Sequence, residues 1–477
     1  MPASPSTARV LNDRLALRLL QDEGPLTAGQ LKQLTGLSRP TVADLVERLS
    51  AAGLIEVVGE AGEQRRGPNA RLYGLVAGRA HLAALDVRTE GVTVLVSDLV
   101  GGVLAEAAVP IGGDTGTGSA VEQAVTLVER AAKEAGADGL HTVGIGAPGL
   151  IDPATGDLRD SSGLPAWHRR LVATLAERLP GARVTVENET NLAALAEQRE
   201  GAARDRDTFV LLWLGHGTGA AVVLDGALRR GASGGTGEIG FLPVPGTTGL
   251  PSATDCAGGF HSLAGSAAIT SLARAHGLPG PPAPEEPGEP EAAGVVRAAL
   301  ASARAAVTPV PEAVTSVPEA GESAASVGGT AESAASVGGA REPAPSADGT
   351  TEPTATPASA PAPVPVRQDA PASPPAPASA PYAAADRFLD ALADRIALGA
   401  ASVVAVLDPG CVVLGGEVGR AGGPDLAARV ERRLRRMSPL PTEVRSSALG
   451  GGAVLRGALL TARESAQDDL FGAPDAT

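Results

Sequence analysis

Several functional classes need residues that this chain has little of. Aromatic side chains make up 2% of its 477 residues, which disfavours reading single-stranded nucleic acid by stacking bases on rings. Cysteine occurs twice, at Cys256 and Cys411, so there is neither a disulfide framework nor a zinc set from cysteine alone. Lysine is confined to Lys32 and Lys133, and arginine supplies the rest of the positive charge. The longest apolar helical stretch, 396–407, is too short for a bilayer, which takes about 20 residues. The opening M-P-A-S-P-S-T-A-R lacks the apolar core of a signal peptide. The expectation is a soluble cytoplasmic protein with no membrane partner.

What is present is apolar bulk and uneven charge. Hydrophobic residues make up 43% of the chain, enough for a large core, and the length suits two or three domains. The net charge is −15, yet residues 1–80 hold ten Lys and Arg against eight Asp and Glu, leaving −17 on the rest. That asymmetry points to an N-terminal domain that tolerates anions, carried on an acidic body.

The first 80 residues read as a winged helix-turn-helix. Leu15, Leu19 and Leu20 mark one face of a first helix, which Gly24-Pro25 ends. Thr27 and Gln30 have capping-box spacing and open a second helix, with Leu31 and Leu34 expected inward. After a turn at Thr35-Gly36-Leu37, Ser38 caps a third helix with Pro40 in its first turn and Val42, Leu45, Val46 and Leu49 buried. Two helices joined through a glycine-containing turn place the second in the major groove, its N-terminal residues toward base edges. Arg39, Thr41 and Asp44 are then candidate readers beside Ser38, and Arg48 a candidate phosphate contact. Asp44 is repelled by phosphates unless it accepts from a cytosine amino group. Two short strands follow, and Arg65 and Arg66 between them suit the tip of a wing on double-stranded DNA.

The body is organised around V-T-V-E-N-E-T-N-L-A-A-L-A-E at 184–197. A short strand, 184–186, runs into a polar turn and then a helix from Leu192. Glu187, Asn188, Glu189 and Asn191 at that turn can accept hydrogen bonds from a polyol, and an acid at a strand end suits a general base. The same residues also suit a helix cap.

This stretch resembles the sugar-site turn E-N-D-x-N of the ROK family, which groups sugar kinases with sugar-responsive repressors. V-G-I-G-A-P-G-L-I-D at 143–152 resembles the family's G-x-G-x-P-G-x-x-D segment, and 214–241 resembles its second phosphate loop followed by G-E-I-G-H. The first 80 residues are similar to the winged helix of ROK repressors. The fold implied is α/β: a winged helix-turn-helix joined to a two-lobed, actin/hexokinase-like (ribonuclease H-like) sugar-kinase fold. The expected division is 1–80 for the winged helix and 81–306 with 382–477 for the body. Residues 307–381, rich in Pro, Ala, Ser and Glu and repeating E-S-A-A-S-V-G-G, form an insertion expected to be disordered.

Departures from the family pattern weaken phosphoryl transfer. Where the kinases carry D-x-G-x-T-K, this chain reads Asp86-Val87-Arg88-Thr89-Glu90-Gly91, and a phosphate loop needs small residues and donors. Glu189 stands where the kinases place a catalytic Asp. One methylene moves the carboxylate by over an ångström, a misplacement costing roughly 10²-fold in rate. Gly163 replaces the Asn of a sugar-facing loop, and Trp167 is expected to pack on Leu171 and Leu175. Phe241 replaces a His, and Cys256 and His261 lack the spacing of the family's zinc segment, so no metal and no cofactor are expected. The leading expectation is a DNA-binding regulator, a repressor, acting as a homodimer or dimer of dimers. Its effector would be a sugar or sugar phosphate held by Asn188, Glu189 and Glu238. The alternatives are an ATP-dependent hexose kinase with Glu189 as base, and a ligand-independent regulator whose body only dimerises.

Overall fold

The computed structural model describes residues 5–61, 70–159, 164–252, 254–285, 288–305 and 380–471. Helix α1 (Pro5–Asp22) turns Ala16, Leu17 and Leu20 inward. Leu15, expected on that face, is 43% exposed. Apolar residues occur on more than one side of α1, and the side that meets the next two helices is the one buried. Strand β1 (Leu26–Thr27) leads into α2 (Ala28–Thr35), where Thr27 and Gln30 form the capping box that their spacing predicts. Leu31 is buried, whereas Leu34 is half exposed, contrary to expectation, because α2 spans only two turns and its last turn faces outward. Helix α3 (Arg39–Ala51) starts at the Ser38 cap and buries Val42, Leu45, Val46 and Leu49 as its periodicity requires. Strands β2 (Ile55–Ala61) and β3 (Ala70–Leu75) complete a sheet ordered β1-β3-β2. The hairpin tip with Arg65 and Arg66 lies outside the described residues, as does the insertion.

The body repeats one topology twice. The first lobe comprises β4 (His81–Arg88), β5 (Gly91–Asp98), β6 (Val103–Pro110), α4 (Thr117–Glu134), β7 (Thr142–Ala147), α5 (Trp167–Arg178), β8 (Arg183–Asn188) and α6 (Glu189–Glu200). The second begins with β9 (Phe209–Leu214), β10 (Thr218–Leu224), β11 (Ala227–Arg229), α7 (His261–Ala264) and α8 (Ser266–Ala275). It continues through α9 (Glu291–Ala305), α10 (Ala380–Leu407), β12 (Cys411–Gly415), α11 (Gly416–Met437), β13 (Glu443–Ser446) and α12 (Ala453–Phe471). The sheets are ordered β6-β5-β4-β7-β8 and β11-β10-β9-β12-β13, each with two antiparallel pairings on one side and two parallel pairings on the other. Strands β4, β9 and β12 are nearly all buried, as strands covered on both faces must be.

Helices α6 and α12 pack together, α12 also against β4 and β7 and α6 against β9 and β10. Their crossing is close: a Cβ on Gly457 would lie 2.1 Å from the carbonyl oxygen of Leu192, so only glycine fits there. Helix α12 also reaches the winged helix. Arg14 of α1 pairs with Asp468 at 2.5 Å, and Gln467 donates to Gln21 at 2.9 Å. On the far face of the second sheet, Ala299 and Leu300 of α9 share a core with Phe388 and Leu389 of α10.

Candidate functional site

A cleft of about 1150 Å³ opens where strand ends of the two lobes face each other, with Asp86, Arg88, Asn188 and Glu189 on one side and Thr218, Glu238 and Glu417 on the other. In sheets of this kind ligands bind beyond the carboxyl ends of the strands. The central motif is tighter than expected. Strand β8 ends at Asn188 and α6 starts at Glu189, so the helix begins three residues before Leu192 with no loop between. The cause is the Asn188 amide, whose oxygen accepts from the backbone N–H groups of Thr190 (2.9 Å) and Asn191 (3.2 Å). Its nitrogen donates to the Gly149 carbonyl at 3.1 Å and to Glu189 Oε2 at 2.9 Å. Both donors and both acceptors of the amide are thereby used within the protein, and Asn188 orients Glu189. Glu187 is likewise occupied: it accepts from the Asn188 backbone N–H (2.9 Å), Asn191 Nδ2 (2.9 Å) and Arg230 Nε (2.6 Å). Arg230 had no sequence signal, lying 43 residues away beyond β11.

Glu189 and Glu238 are the acids left facing the space. Burial, with the negative charges of Asp86 and Glu238 adding to it and Arg88 opposing it, pushes the Glu189 carboxyl up to about 8. Burial also raises Glu238. Glu238 is set by a glycine turn: at Gly237, φ is +92°, and a Cβ would lie 1.8 Å from the Ala220 carbonyl oxygen. A carboxyl with a raised folded-state pKa contributes stability that is complete below its ordinary value and lost as pH rises through the folded one. For Glu189 that window runs from 4.5 to about 8. Glu189→Gln is therefore expected to reduce the fall in Tm between pH 5 and 8. Parallel Tm profiles for variant and wild type would refute the assignment.

Arg88, the last residue of β4, reaches across the cleft floor. It pairs with Asp86 at 2.9 Å and with Glu417, in the first turn of α11, at 2.7 Å. Asp86 is 4% exposed and Glu417 8%; burial pushes the Asp86 carboxyl up while Arg88 pulls it back. Glu417 was not singled out from the sequence, although an acid directly after the Gly415-Gly416 strand end was a usable cue. The second glycine loop is a tight hairpin closed by the Gly215 N–H on the Gly217 carbonyl, and His216 Nε2 lies 2.9 Å from the Gly288 carbonyl. Trp167 is buried with Leu171 and Leu175, as expected. Among the described residues, no three His, Cys, Asp or Glu side chains gather as a metal would require. Also among them, no helix is long and apolar enough to cross a membrane.

On the winged helix, Arg39 is exposed at the start of α3. Ser38 Oγ accepts from the Thr41 N–H and lies 2.8 Å from its hydroxyl. Asp44 pairs with Arg48, and Arg48 also pairs with Asp13 of α1 at 2.6 Å. Arg48 is thus tied to the domain's own acids, a partner set that helical spacing within α3 revealed only in part.

The sequence pattern of the ROK family matches residues 83–307, and that of the MarR family matches 11–67. A xylose repressor of Caldicellulosiruptor bescii is 26% identical over 49% of this chain and 59% of its own length. The DNA-binding transcriptional dual regulator NagC of Escherichia coli is 28% identical over 49% of this chain and 57% of its own. The chain thus spans under two thirds of the length of these relatives. Among solved structures, a ROK family transcriptional regulator described as a homolog of the E. coli MLC protein superposes with a TM-score of 0.63 at 19% identity, covering 97% of this chain and 98% of that one. A ROK hexokinase from Thermus thermophilus superposes with a TM-score of 0.51 at 23% identity, covering 81% and 99%. At those identities the superpositions establish the fold: two lobes of the sugar-kinase type behind a helix-turn-helix. The chain carries a ROK family domain over residues 83–307 behind a MarR-type winged helix over residues 11–67.

Proposed function

We propose that this protein is a transcriptional regulator, a repressor, that binds double-stranded operator DNA as a homodimer or dimer of dimers and senses a sugar in its cleft. The observation that carries the reading is the pairing, in one chain, of a capped helix α3 presenting Arg39 to solvent with a cleft whose one lining arginine, Arg88, is held by Asp86 and Glu417. The names of the two relatives, a xylose repressor and a DNA-binding transcriptional dual regulator, support it. Glu189 and Glu238 take the sugar hydroxyls and Asn188 holds Glu189 in place. Arg39 and Thr41 read base edges, with Arg65 and Arg66 on the wing. Regulation requires the sugar to favour one conformation of the protein over the other. The body is not a kinase on this reading: Arg88 lies in the segment that resembles the kinases' first phosphate loop, and Glu417 pairs with it at 2.7 Å.

The test is fluorescence anisotropy on DNA from the protein's own upstream region, titrated with sugars. Saturable binding that survives competitor DNA and shifts with one sugar is the expected result. Specific binding indifferent to every sugar would leave a regulator whose body only dimerises. Absence of specific binding, with ADP released from ATP in the presence of a hexose, would establish the kinase instead. Arg39→Ala should cost about 1–3 kcal/mol of operator affinity, the range for one lost bidentate base contact. Equal affinity in the variant would remove Arg39 from the reading set.

A further inference from the structure

The charge of the cleft is one-sided. Asp86, Glu189, Glu238 and Glu417 line it, and Arg88 is the one arginine or lysine among its described lining residues. Arg88 is already engaged by two of these acids, Asp86 at 2.9 Å and Glu417 at 2.7 Å. Both acids are buried, so any group drawing Arg88 away leaves a carboxylate stranded out of water. Among the described residues neither Glu189 nor Glu238 forms a salt bridge, although the charge of Arg88 still reaches Glu189. Both suit sugar hydroxyls; with Glu189 pushed up to about 8 and mostly protonated at neutral pH, the like charge that a phosphoryl group meets comes from Glu238, in a partly dry space where screening is weak.

We infer that the cleft selects an unphosphorylated sugar and rejects the phosphate ester of the same sugar, Arg88 being occupied from within by Asp86 and Glu417. This rests on the proposed sugar-sensing role and narrows it. A phosphate ester entering here would have to break the cross-lobe pair and bring two further negative charges to a space already rich in carboxylates. A free hexose or pentose brings only donors and acceptors, and the pair stays intact beneath it.

The experiment is isothermal titration calorimetry of the full chain with D-glucose, N-acetyl-D-glucosamine and D-xylose, and with the 6-phosphates of the two hexoses. At least one free sugar should bind, and any hexose that binds should do so at least about tenfold more tightly than its 6-phosphate. Glu238→Gln should narrow that gap by removing a repelling charge, and Arg88→Met should leave the free sugar preferred. Tighter binding of a 6-phosphate, lost in Arg88→Met, would make Arg88 a phosphate receptor; the inference would then fall while sugar sensing stood. A preference unchanged in Glu238→Gln would remove the electrostatic cause even if Arg88→Met failed to fold. No heat with any of the five compounds would overturn the inference and the sensing role together.

Discussion

Glu197→Ala is expected to destabilise the protein by about 3–5 kcal/mol, the range for removing one partner of a buried charged network. Glu197 lies on α6, fully buried, with its charge spread over hydrogen bonds. Oε1 accepts from Ser447 Oγ at 2.5 Å and from the backbone N–H groups of Ala448 and Leu449, each at 3.0 Å. Oε2 accepts from the Ala202 N–H at 2.6 Å. Alanine removes both acceptor oxygens, so three backbone donors in part-buried surroundings lose this partner, each at a cost of up to about 1–3 kcal/mol. The segment released, 447–449, leads from β13 into α12. Since α12 crosses α6 and holds α1, the loss should also appear as weaker docking of the winged helix. Glu197→Gln keeps one acceptor and should cost less than half as much. Thermal unfolding followed by circular dichroism checks the order wild type, Gln, Ala; an alanine variant melting with the wild type would show that water replaces the carboxylate.

Arg88→Met is the second large effect, about 2–4 kcal/mol. The figure is discounted from the buried-pair range because the Arg88 side chain is 32% exposed and partly screened. The cost comes from what stays behind, Asp86 and Glu417 buried without their guanidinium. It should depend on pH with a definite sign. Asp86 already has a raised folded-state pKa, and losing Arg88 raises it further. Stability is then complete below the ordinary carboxyl value and falls as pH climbs, so the deficit of the variant should grow from pH 5 to pH 8. Adding Glu417→Gln should recover part of the loss, since neutralising a stranded charge is favourable; the double-mutant cycle measures the coupling. A deficit that shrinks with rising pH would contradict the account.

These two predictions share a feature: neither was available from the chain read as a string. Glu197 carries no sequence signal of its role, and three of its donors, on Ser447, Ala448 and Leu449, lie 250 residues or more away. Arg88 reads as an obstruction to phosphate, but the sequence gives no sign of its partner Glu417, 329 residues distant. The motif marks Asn188 as a sugar ligand, yet the structure fills its amide with Gly149, Glu189 and the first turn of α6. Leu15 and Leu34 were assigned inward because apolar character alone does not say which side of a helix finds a neighbour.

By itself the sequence determined the local frame. Thr27 with Gln30, Ser38 with Pro40, and the stripe Val42, Leu45, Val46 and Leu49 specify two helices and their caps, because capping and periodicity act over three or four residues. The ordered glycine and acid motifs marked the strand ends that line the cleft. Tertiary structure alone decided which charges met there. The lobes bring Asp86, Arg88 and Glu417 within hydrogen-bonding distance and, among the described residues, leave Glu189 and Glu238 outside any salt bridge. The physical reason is that an ion pair depends on distance through space and on exclusion of water, and spacing along the chain encodes neither for residues hundreds of positions apart.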